Sequence, residues 1–561
     1  MTEKHTGALA LTWTNKHLRL LANDDGTYEW VEPSDYRVAE VRLLNDVKSV
    51  GQVHGDRNRA QDNLLIRGDS LHALTSLLRI PEFTAQYEGK VKLVYIDPPF
   101  NTGQAFDDYD DGLEHSVWLT MLRDRLSQIK RLLAPNGSVW VHLDDAEQHR
   151  ARLVLDEVFG IDNFVATFIW QKVDSPNDNK VAVTTDHEFI HCYAKNKPLL
   201  KLTPMGDESI LGAYGQVDAH GKRYRDRLLK KNGKNSLRAD RPTMWFPITD
   251  PDGNECWPIH DDGREARWAM GKDAVEALVA SNELVWKKRP DPIDPDTDRW
   301  VPYTREWAPD TPTRPWPTIW TDVHTSRQAK AHLRAMFPGV TPFGTPKPER
   351  LMQRIIEIAT ESDDIVLDCF AGSGTTAAVA HKMGRRWVTA EWSAENIATY
   401  TLPRLEMVVS GSDPGGVTEQ VGWESGGGFR VLDVAPSVYE VLDHTVLLSE
   451  TVTAGQLAES VAAQLGFDYE PNGFFSGAKG RMRLCVVDGV LNDDIARLVT
   501  GALQDKERVT VVATACEPGA EDLVRSLAPG SRVRKVPRDL ARLSSRRSEV
   551  VQLVLDGLEA S

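Results

Sequence analysis

The sequence predicts an α/β fold in which a mostly parallel sheet is split by an inserted domain and followed by a smaller α/β domain. Short apolar strands alternate with amphipathic helices over residues 61–195 and again over 319–410. This alternation is typical of parallel sheets that carry helices on both faces. Residues 196–318, between the two halves, are rich in Pro, Trp, Arg and Asp and lack the alternation. We therefore expect one sheet built from two separate parts of the chain.

The individual elements follow from apolar runs, helical spacing and turn residues. In the first half, strands are predicted at 64–66, 92–96 and 138–143, with helices at 71–78 and 117–133. In the second half, strands are predicted at 365–368 and 387–391, with helices at 349–360 and 375–383. Towards the C-terminus, strands are predicted at 483–487 and 509–513, with helices at 494–503 and 521–527.

These elements divide the chain into six segments. A stretch rich in Gly, with Ser, Asp and Pro, predicts a linker after the second half of the sheet. The segments are an N-terminal extension (1–60), the first half of the sheet domain (61–195), the insert (196–318), the second half (319–410), the linker (411–429) and a C-terminal α/β domain (430–561).

Composition excludes several classes of protein. The chain has 561 residues, of which 41% are hydrophobic and 26% charged, which excludes a collagen, a coiled coil and a wholly disordered chain. Lys+Arg minus Asp+Glu is 66 − 82, or −16, which argues against a uniformly basic coat but not against a local basic groove. Five scattered cysteines without a CxxC pair indicate a reducing compartment and no structural metal. With no signal peptide and no long apolar run, we expect a cytoplasmic protein without a membrane span.

A glycine-rich turn follows the strand 365–368 and opens the next helix. It has the sequence DCFAGSGTTA over residues 368–377, and its glycines permit a tight turn and a close approach of a ligand to the backbone. Glu391 ends the next strand, where an acidic side chain can accept hydrogen bonds from ribose hydroxyls. Asp368 would repel a pyrophosphate but suits an ammonium group. The turn therefore favours S-adenosylmethionine over NAD as the cofactor.

A second motif, Asp97-Pro98-Pro99-Phe100, comes directly after the predicted strand 92–96. Its two prolines make a rigid turn without N–H donors and leave the Pro98 carbonyl free to accept. The Asp97 carboxylate and this carbonyl can together accept both protons of an exocyclic amine, which aims the nitrogen lone pair at an electrophilic methyl group. Phe100 offers a flat face on which a flipped base can stack. These four residues are the predicted catalytic motif.

The two motifs, in this order, resemble the β class of DNA amino-methyltransferases, and the chain is similar to the Mod subunits of type III restriction-modification systems. The resemblance rests on YIDPPFNTG (95–103) and LDCFAGSGTT (367–376), with supporting motifs at 68–71, 115–119, 143–147 and 343–348. Phe100 departs from the commoner Tyr of the family, keeping the stacking face but losing the hydroxyl. The resemblance implies a Rossmann-like S-adenosylmethionine-dependent methyltransferase sheet with permuted motif order, in which 196–318 is the target-recognition domain.

The resemblance also implies site residues and partners. The expected partners are double-stranded DNA, a second copy of the chain and a Res-like helicase-nuclease subunit, with 430–561 as the dimerisation or docking domain. The chain itself has no helicase P-loop, so any cleavage would come from a partner. The residues expected to bind the cofactor are Asp69, Ser70, Lys347, Asp368, Phe370, Ala371, Gly372, Gly374, Thr375, Thr376 and Glu391.

The target base can be argued from two positions. Cytosine-C5 enzymes need a nucleophilic Cys after Pro, and no cysteine here follows a proline. Cytosine-N4 relatives usually carry Ser in place of Asp97, so Asp97 favours adenine N6. The alternatives left open are a cytosine-N4 methyltransferase, a methyltransferase of proteins or free nucleotides, a dehydrogenase, and an orphan or non-catalytic DNA-recognition subunit.

The stretch 222–241 is the predicted DNA contact. It holds nine Lys or Arg against two Asp, a local charge of 9 − 2 = +7, and phosphate neutralisation needs such clustering. The predicted DNA-binding residues are Lys222, Arg223, Arg225, Arg227, Lys230, Lys231, Lys234, Arg238 and Arg241. By contrast, His187, Glu188 and His191 lack the HExxH spacing of a metal site, and we expect them to be structural residues of a strand.

Overall fold

A computed structural model describes residues 11–22, 27–33, 35–101, 105–106, 109–110, 114–175, 182–291, 296–442, 445–449 and 452–536. The chain forms two compact units, of which one comprises residues 204–316 and the other the parts of the chain on either side. The first lies within the predicted insert, 196–318. The residues at both ends of the predicted insert belong to the larger unit.

The larger unit is built on a ten-stranded mixed sheet. Numbered in chain order, its strands are β1 (Leu44–Gly51), β2 (Asn63–Arg67), β3 (Val91–Ile96), β4 (Leu133–Leu143), β5 (Phe164–Gln171), β6 (His187–Ala194), β7 (Ile319–Trp320), β8 (Ile365–Asp368), β9 (Arg386–Glu391) and β10 (Gly428–Val434). Across the sheet the order is β7-β5-β6-β4-β3-β8-β9-β2-β10-β1. The run from β4 to β10 is parallel, whereas β6 and β1 pair antiparallel at its two sides. The predicted α/β fold with a mostly parallel sheet is confirmed.

The central strands are apolar because both of their faces are covered. Leu93, Val94 and Ile96 of β3 are fully buried, as are the apolar residues of β8. The helices that flank the sheet are α1 (Ser70–Arg79), α2 (Pro81–Tyr87), α3 (His115–Leu132), α4 (Gln148–Phe159), α5 (Ser326–Met336), α6 (Glu349–Ala359), α7 (Thr375–Lys382) and α8 (Leu402–Ser410). The apolar stripe of α6, with Leu351 and Ile355, shows how the helical spacing in the sequence becomes a buried face.

Two predicted boundaries at this sheet are wrong. The predicted extension 1–60 contains β1, which pairs with β10 at the edge of the sheet. The boundary predicted at residue 430 falls inside β10, which pairs with both β1 and β2. The physical reason is burial, because Phe429 and Leu432 are fully buried in β10 and need the sheet to cover them.

The predicted linker 411–429 is packed against the sheet domain. Val417 and Asp413 are buried, and the Val417 N–H donates to Glu349 Oε2 at 2.9 Å. Gly416 has φ +68°, and a Cβ there would lie 1.9 Å from Glu349 Oε2. At this position glycine therefore permits the side chains of Glu349 and His332 to approach the backbone closely. The prediction was wrong because glycine-rich composition alone does not distinguish a linker from a tightly packed loop.

A buried network of charges joins this segment to four helices, α5, α6, α7 and α8. Lys382 Nζ donates to Glu349 at 2.7 Å and also to Asp413. Arg404 donates to Glu349 at 2.8 Å, and His332 Nε2 hydrogen-bonds to Asp413 at 2.7 Å. Because Lys382 and both carboxylates are almost fully buried, each charge depends on its partners for compensation.

The C-terminal part of the larger unit carries its own five-stranded sheet. Its strands, in order, are Asp468–Asn472, Phe475–Lys479, Met482–Leu491, Arg508–Cys516 and Arg532–Lys535. Its helices are Ala454–Leu465, Asp493–Gly501 and Ala520–Leu527. The last three strands are parallel, as alternating strands and helices predict.

The unit 204–316 is mainly antiparallel. Four strands form its principal sheet, in the order Gln216–Val217, Arg223–Leu228, Asp298–Trp307 and Leu284–Pro290. The helix Lys272–Ala280 belongs to the same unit. Leu229, Ile248, Trp268 and Val275 form its core.

Five short two-stranded sheets are also present among the described residues. They pair Arg19–Ala22 with Tyr28–Val31, Ala105–Phe106 with Tyr109–Asp110, Met205–Gly206 with Thr313–Arg314, Ile248–Thr249 with Glu255–Cys256, and Tyr439–Leu442 with Thr445–Leu448. Over the described ranges, no helix combines the length and the apolar character needed to cross a membrane.

Replacing Lys382 by Met should lower the free energy of unfolding by about 3–5 kcal/mol, because Glu349 and Asp413 lose a shared buried cation. Chemical denaturation followed by circular dichroism measures this loss. Lys48→Met is the control, since Lys48 forms an exposed pair with Glu406 and such pairs contribute less than about 1 kcal/mol. Equal losses in the two variants would contradict the importance of the buried network.

Candidate active site

Three carboxylates lie at the carboxyl edge of adjacent parallel strands. Asp97 follows β3, Asp368 ends β8 and Glu391 ends β9. Because β8 lies between β3 and β9, residues from both halves of the sequence meet at one edge. A cavity opens here, lined by Tyr95, Asp97, Pro99, Phe343, Thr345, Pro346, Lys347, Asp368, Phe370, Ala371, Gly372, Ser373, Thr375, Thr376, Glu391, Trp392 and Asn396. Most of the predicted catalytic and cofactor-binding residues therefore line a single cavity.

The glycine-rich turn between β8 and α7 has a fixed shape. Gly372 and Gly374 adopt φ of +50° and +75°, which favours glycine. The Gly372 N–H donates to Glu391 Oε2 at 2.8 Å, and Thr401 Oγ1 donates to the Gly372 carbonyl at 2.7 Å. Arg404 donates to Thr375 Oγ1 at 2.8 Å, which connects the turn to the buried charge network. Gly374 itself lies outside the lining of the cavity.

Two of the three carboxylates favour the protonated form. Burial raises the pKa of Glu391 to about 7. Burial, together with the negative charges of Asp97 and Glu391, raises the pKa of Asp368 to about 8. A ligand that carries positive charge or hydroxyl donors would relieve this cost. The cavity is therefore electrostatically prepared for a cation.

One carboxylate oxygen of Asp97 has a hydrogen-bond partner, and the other has none among the described residues. Lys347 Nζ donates to Asp97 Oδ2 at 2.7 Å, whereas Asp97 Oδ1 is buried and has no hydrogen-bond partner among the described residues. Trp118 Nε1 donates to the Pro99 carbonyl at 2.6 Å and holds the turn. An open, buried acceptor of this kind needs a donor from a ligand.

Phe100 lies beside Lys347, the partner of Asp97. Neither Phe100 nor Pro98 lines the cavity. Lys347 Nζ is 4.8 Å from the centroid of the Phe100 ring. The His142 ring lies 6.2 Å from Phe100, tilted by 32°. Thr102 and Gly103, which complete the motif, lie outside the described residues.

A buried polar network behind Asp97 was not predicted from the sequence. Glu188 Oε2 lies 2.8 Å from His142 Nε2 and 3.7 Å from Lys347 Nζ. The other ring nitrogen of His142 is 2.8 Å from the Tyr95 hydroxyl, and Lys172 Nζ donates to Glu188 at 3.2 Å. Burial would raise the pKa of Glu188, but Lys347 and His142 hold it well below its ordinary value. Glu188 therefore contacts the cavity residue Lys347 without itself lining the cavity. We expected it to be a structural residue of its strand, and the sequence did not indicate this link to the site.

One sequence feature points to Glu188 in retrospect. Its strand, β6, has the sequence HEFIHCYA and is buried along most of its length. A carboxylate on such a strand needs a cationic partner, and the sequence does not reveal that partner. His191, on the same strand, instead hydrogen-bonds Thr167 and the Gln148 carbonyl.

Asp69 and Ser70 also lie outside the lining of the cavity. Asp69 caps α1 by accepting from the Leu71 N–H at 2.7 Å, and Arg125 donates to both Asp69 and Ser70. The Arg125 guanidinium lies 6.0 Å from the centroid of the Phe370 ring, and that ring lines the cavity. Their contact with a cofactor stays a prediction.

The basic run 222–241 divides into paired and unpaired cations within the unit 204–316. Arg225 and Arg227 pair with Glu306, Lys230 pairs with Asp261, and Arg238 pairs with Glu265. No ion pair to a described carboxylate is made by Lys222, Arg223, Lys231, Lys234 or Arg241. A linear count of charge therefore overstates the positive charge that this run offers to a ligand.

Comparison with known proteins identifies the family. The sequence profile of the DNA methylase family matches residues 91–401. The type II methyltransferase M1.MboII of Moraxella bovis is 37% identical over 330 residues, which cover 58% of this chain and 95% of that protein. The EcoPI Mod subunit of Escherichia phage P1, a type III restriction-modification enzyme, is 30% identical over 66% of this chain and 61% of its own length. The probable HindVI Mod subunit of Haemophilus influenzae is 29% identical over 69% and 56%.

The chain thus spans little more than half of the length of these two Mod subunits. The family match covers both motifs, from β3 through the glycine-rich turn and beyond β9. The protein belongs to the DNA methylase family.

Proposed function

We propose that this protein is a site-specific DNA methyltransferase that transfers a methyl group from S-adenosylmethionine to adenine N6 in double-stranded DNA. The observation that carries the proposal is the open, buried oxygen of Asp97 in a cavity shared with the glycine-rich turn. The adenine preference rests on an aspartate at this position. Membership of the DNA methylase family supports the reaction class.

The residues of the cavity fit S-adenosylmethionine. Asp368 and Glu391 are buried carboxylates with raised pKa values, so they favour a ligand with a positive charge and hydroxyl donors. The side-chain oxygen of Asn396 is also buried without a partner among the described residues. When bound, the cofactor supplies an electrophilic methyl group. Phe370 and Lys347 would complete its binding site.

The chain contributes orientation and a proton acceptor. Asp97 Oδ1 and the Pro98 carbonyl would accept the two protons of the adenine amine, which aims the nitrogen lone pair at the methyl carbon. The Phe100 ring would stack on the flipped base. As the nitrogen gains the methyl group it loses one proton, and the Asp97 carboxylate is placed to take it. No bond between enzyme and base is needed.

The similarity to Mod subunits supports a role in a type III-like restriction-modification or phage-defence system. In such a system the protein would be the modification and recognition subunit, acting as a homodimer and recruiting a Res-like helicase-nuclease. The part of the chain that follows β10 would supply the dimerisation or docking surface. The five cysteines are unpaired, which supports a cytoplasmic location.

The proposal is tested by sequencing native DNA, with detection of modified bases, from cells that express this chain or its Asp97→Ala variant. We expect N6-methyladenine at one short motif with the unchanged chain and none with the variant. Asp97→Ala should still bind S-adenosylmethionine in calorimetry, because the other cavity residues remain. Methylation that persists in the variant would refute the assigned role of Asp97. N4-methylcytosine in place of N6-methyladenine would refute the assigned base.

Cofactor affinity should rise with pH. Because the pKa of Glu391 is raised to about 7 and that of Asp368 to about 8, part of each is protonated at neutral pH, and a cationic ligand binds the ionised forms. We expect severalfold tighter binding of S-adenosylmethionine at about pH 7.5 than at about pH 6. Calorimetry in two buffers of different ionisation enthalpy should show protons released on binding. Affinity that is constant over this range would contradict the raised pKa values.

Glu188→Gln should reduce kcat by about tenfold while leaving the KM for DNA nearly unchanged. Without the charge of Glu188, Lys347 loses the carboxylate that lies 3.7 Å from its Nζ, and the orientation of the Asp97 carboxylate is disturbed. Steady-state methylation kinetics, with the pH profile of kcat, measure the effect. His191→Gln is the matched control, since His191 is equally buried on β6 and does not contact Lys347. If both variants lose kcat equally with unchanged pH profiles, Glu188 is merely structural.

A further inference from the structure

The unit 204–316 presents a sheet face on which aromatic rings and cations alternate. The face is formed by the three longer strands of the sheet, Arg223–Leu228, Leu284–Pro290 and Asp298–Trp307. We name it the cationic sheet face and define it by Tyr224, Tyr303, Trp307, Lys287, Arg289 and Arg305. Only Tyr224 lies within the basic run that the sequence analysis singled out.

Strand pairing places these side chains on the same side of the sheet. Tyr224 pairs with Trp307, and Asp226 pairs with Arg305. Successive side chains of a strand alternate between the two faces, so Tyr303, two pairs further on, shares this side.

The opposite face is the one that is buried. Pro302 and Thr304 are buried, and Leu284 and Trp286 pack against the core that contains Trp268. The cationic sheet face is therefore not needed to cover this core. Its side chains are half-exposed, with 31% of the Lys287 side chain and 27% of the Arg305 side chain accessible.

This face carries an excess of positive charge. Among the described residues of the three strands, its cations are Lys287, Arg289, Arg299 and Arg305, and its one carboxylate is Asp226. Asp226 is buried between Lys287 at 2.7 Å and Arg305 at 3.5 Å. Arg299 is paired with Asp261 from outside the strands. Four cations against these two carboxylates leave a net charge of +2.

The aromatic rings hold the cations in place. The Arg305 guanidinium lies 4.1 Å from the centroid of the Tyr224 ring, and Lys287 Nζ lies 5.0 Å from that of Tyr303. Arg289 also lies over Tyr303, at 5.9 Å. Such contacts restrict long side chains that would otherwise lose conformational entropy on binding. The positive charges are therefore preorganised.

One further cation extends the face at its edge. Lys222 Nζ lies 5.6 Å from the centroid of the Trp307 ring and makes no ion pair with a described carboxylate. It adds a fifth cation to the face, beside Asp218, whose carboxylate accepts from the Lys222 N–H at 2.8 Å. By contrast, Arg225 and Arg238 from the same basic run have carboxylate partners.

We propose that the cationic sheet face, with Lys222, binds the phosphodiester backbone of duplex DNA. The proposal rests on the function proposed above and names the surface that holds the substrate. A chain of net charge −16 repels DNA as a whole, so binding requires a local surface whose cations are ordered and only partly neutralised. Backbone contacts of this kind set the position of the protein on the duplex and contribute the salt-dependent part of the affinity.

The test uses the full-length protein and a fluorescently labelled duplex of about 30 base pairs, followed by anisotropy over a range of salt concentrations. The variant Lys222→Gln/Arg289→Gln removes two exposed cations of the face. Its DNA affinity should fall by about tenfold at low salt. The negative slope of log K against log salt should become shallower by about two. The control Arg264→Gln/Lys272→Gln removes two exposed cations of the same unit that lie outside the face. The control should leave the slope unchanged.

Equal effects of the two variants, or no effect of the first, would overturn the proposal, because general charge would then explain the binding. Melting temperature and S-adenosylmethionine binding should be unchanged in both variants, which excludes misfolding as the cause. Methylation of DNA by the unchanged protein separates the two proposals. If the unchanged protein binds the duplex through this face but never methylates it, the proposed function is wrong and the proposed interface stands. If the unchanged protein methylates DNA but Lys222→Gln/Arg289→Gln binds DNA with the same salt dependence as the unchanged protein, the proposed interface is wrong and the proposed function stands.

Discussion

The site depends on three carboxylates that meet at one edge of a sheet, two of which, Asp368 and Glu391, are buried. Asp97, Asp368 and Glu391 share a cavity. Burial raises the pKa of Glu391, and burial together with the negative charges of Asp97 and Glu391 raises that of Asp368. Lys347 is the cation that contacts this group, through Asp97. Such an arrangement is unfavourable until a positively charged ligand enters. Because a positively charged ligand relieves this unfavourable electrostatic energy, the arrangement favours a cationic cofactor.

The surrounding structure keeps these charges in place. Lys347 and Asp97 are 250 residues apart in the sequence, and the tertiary structure, in which the two halves of the chain pair through β3 and β8, brings them together. The glycine-rich turn is in turn fixed through Arg404, whose partner Glu349 belongs to the buried network around Lys382. Both the network and the segment 411–429 thus support the shape of the turn without lining the cavity. The sheet order is a precondition for the chemistry.

Local patterns in the sequence were sufficient to predict the two motifs but not the residues that hold them in place. The DPPF turn and the glycine-rich turn each need only a strand, a turn and the residues beside them, so their positions could be predicted. Glu188 could not be assigned to the site, because its partners His142 and Lys347 lie on other elements. The segment 411–429 was misjudged for the same reason, since its glycines permit contacts with a distant helix. In each case the missing information was tertiary.

The inserted unit shows how a linear charge count can mislead. Within a strand, neighbouring residues point to opposite faces, so the charges of Arg225 and Asp226 act on different surfaces. Cations that are adjacent in the sequence can therefore be separated in space, while Lys287 and Arg305, which come from different strands, act together around Asp226. For an acidic protein proposed to bind a polyanion, the relevant quantity is the charge left on one face after its own carboxylates are paired. That charge depends on the register of the strands, which cannot be read from the residue composition of a sequence segment.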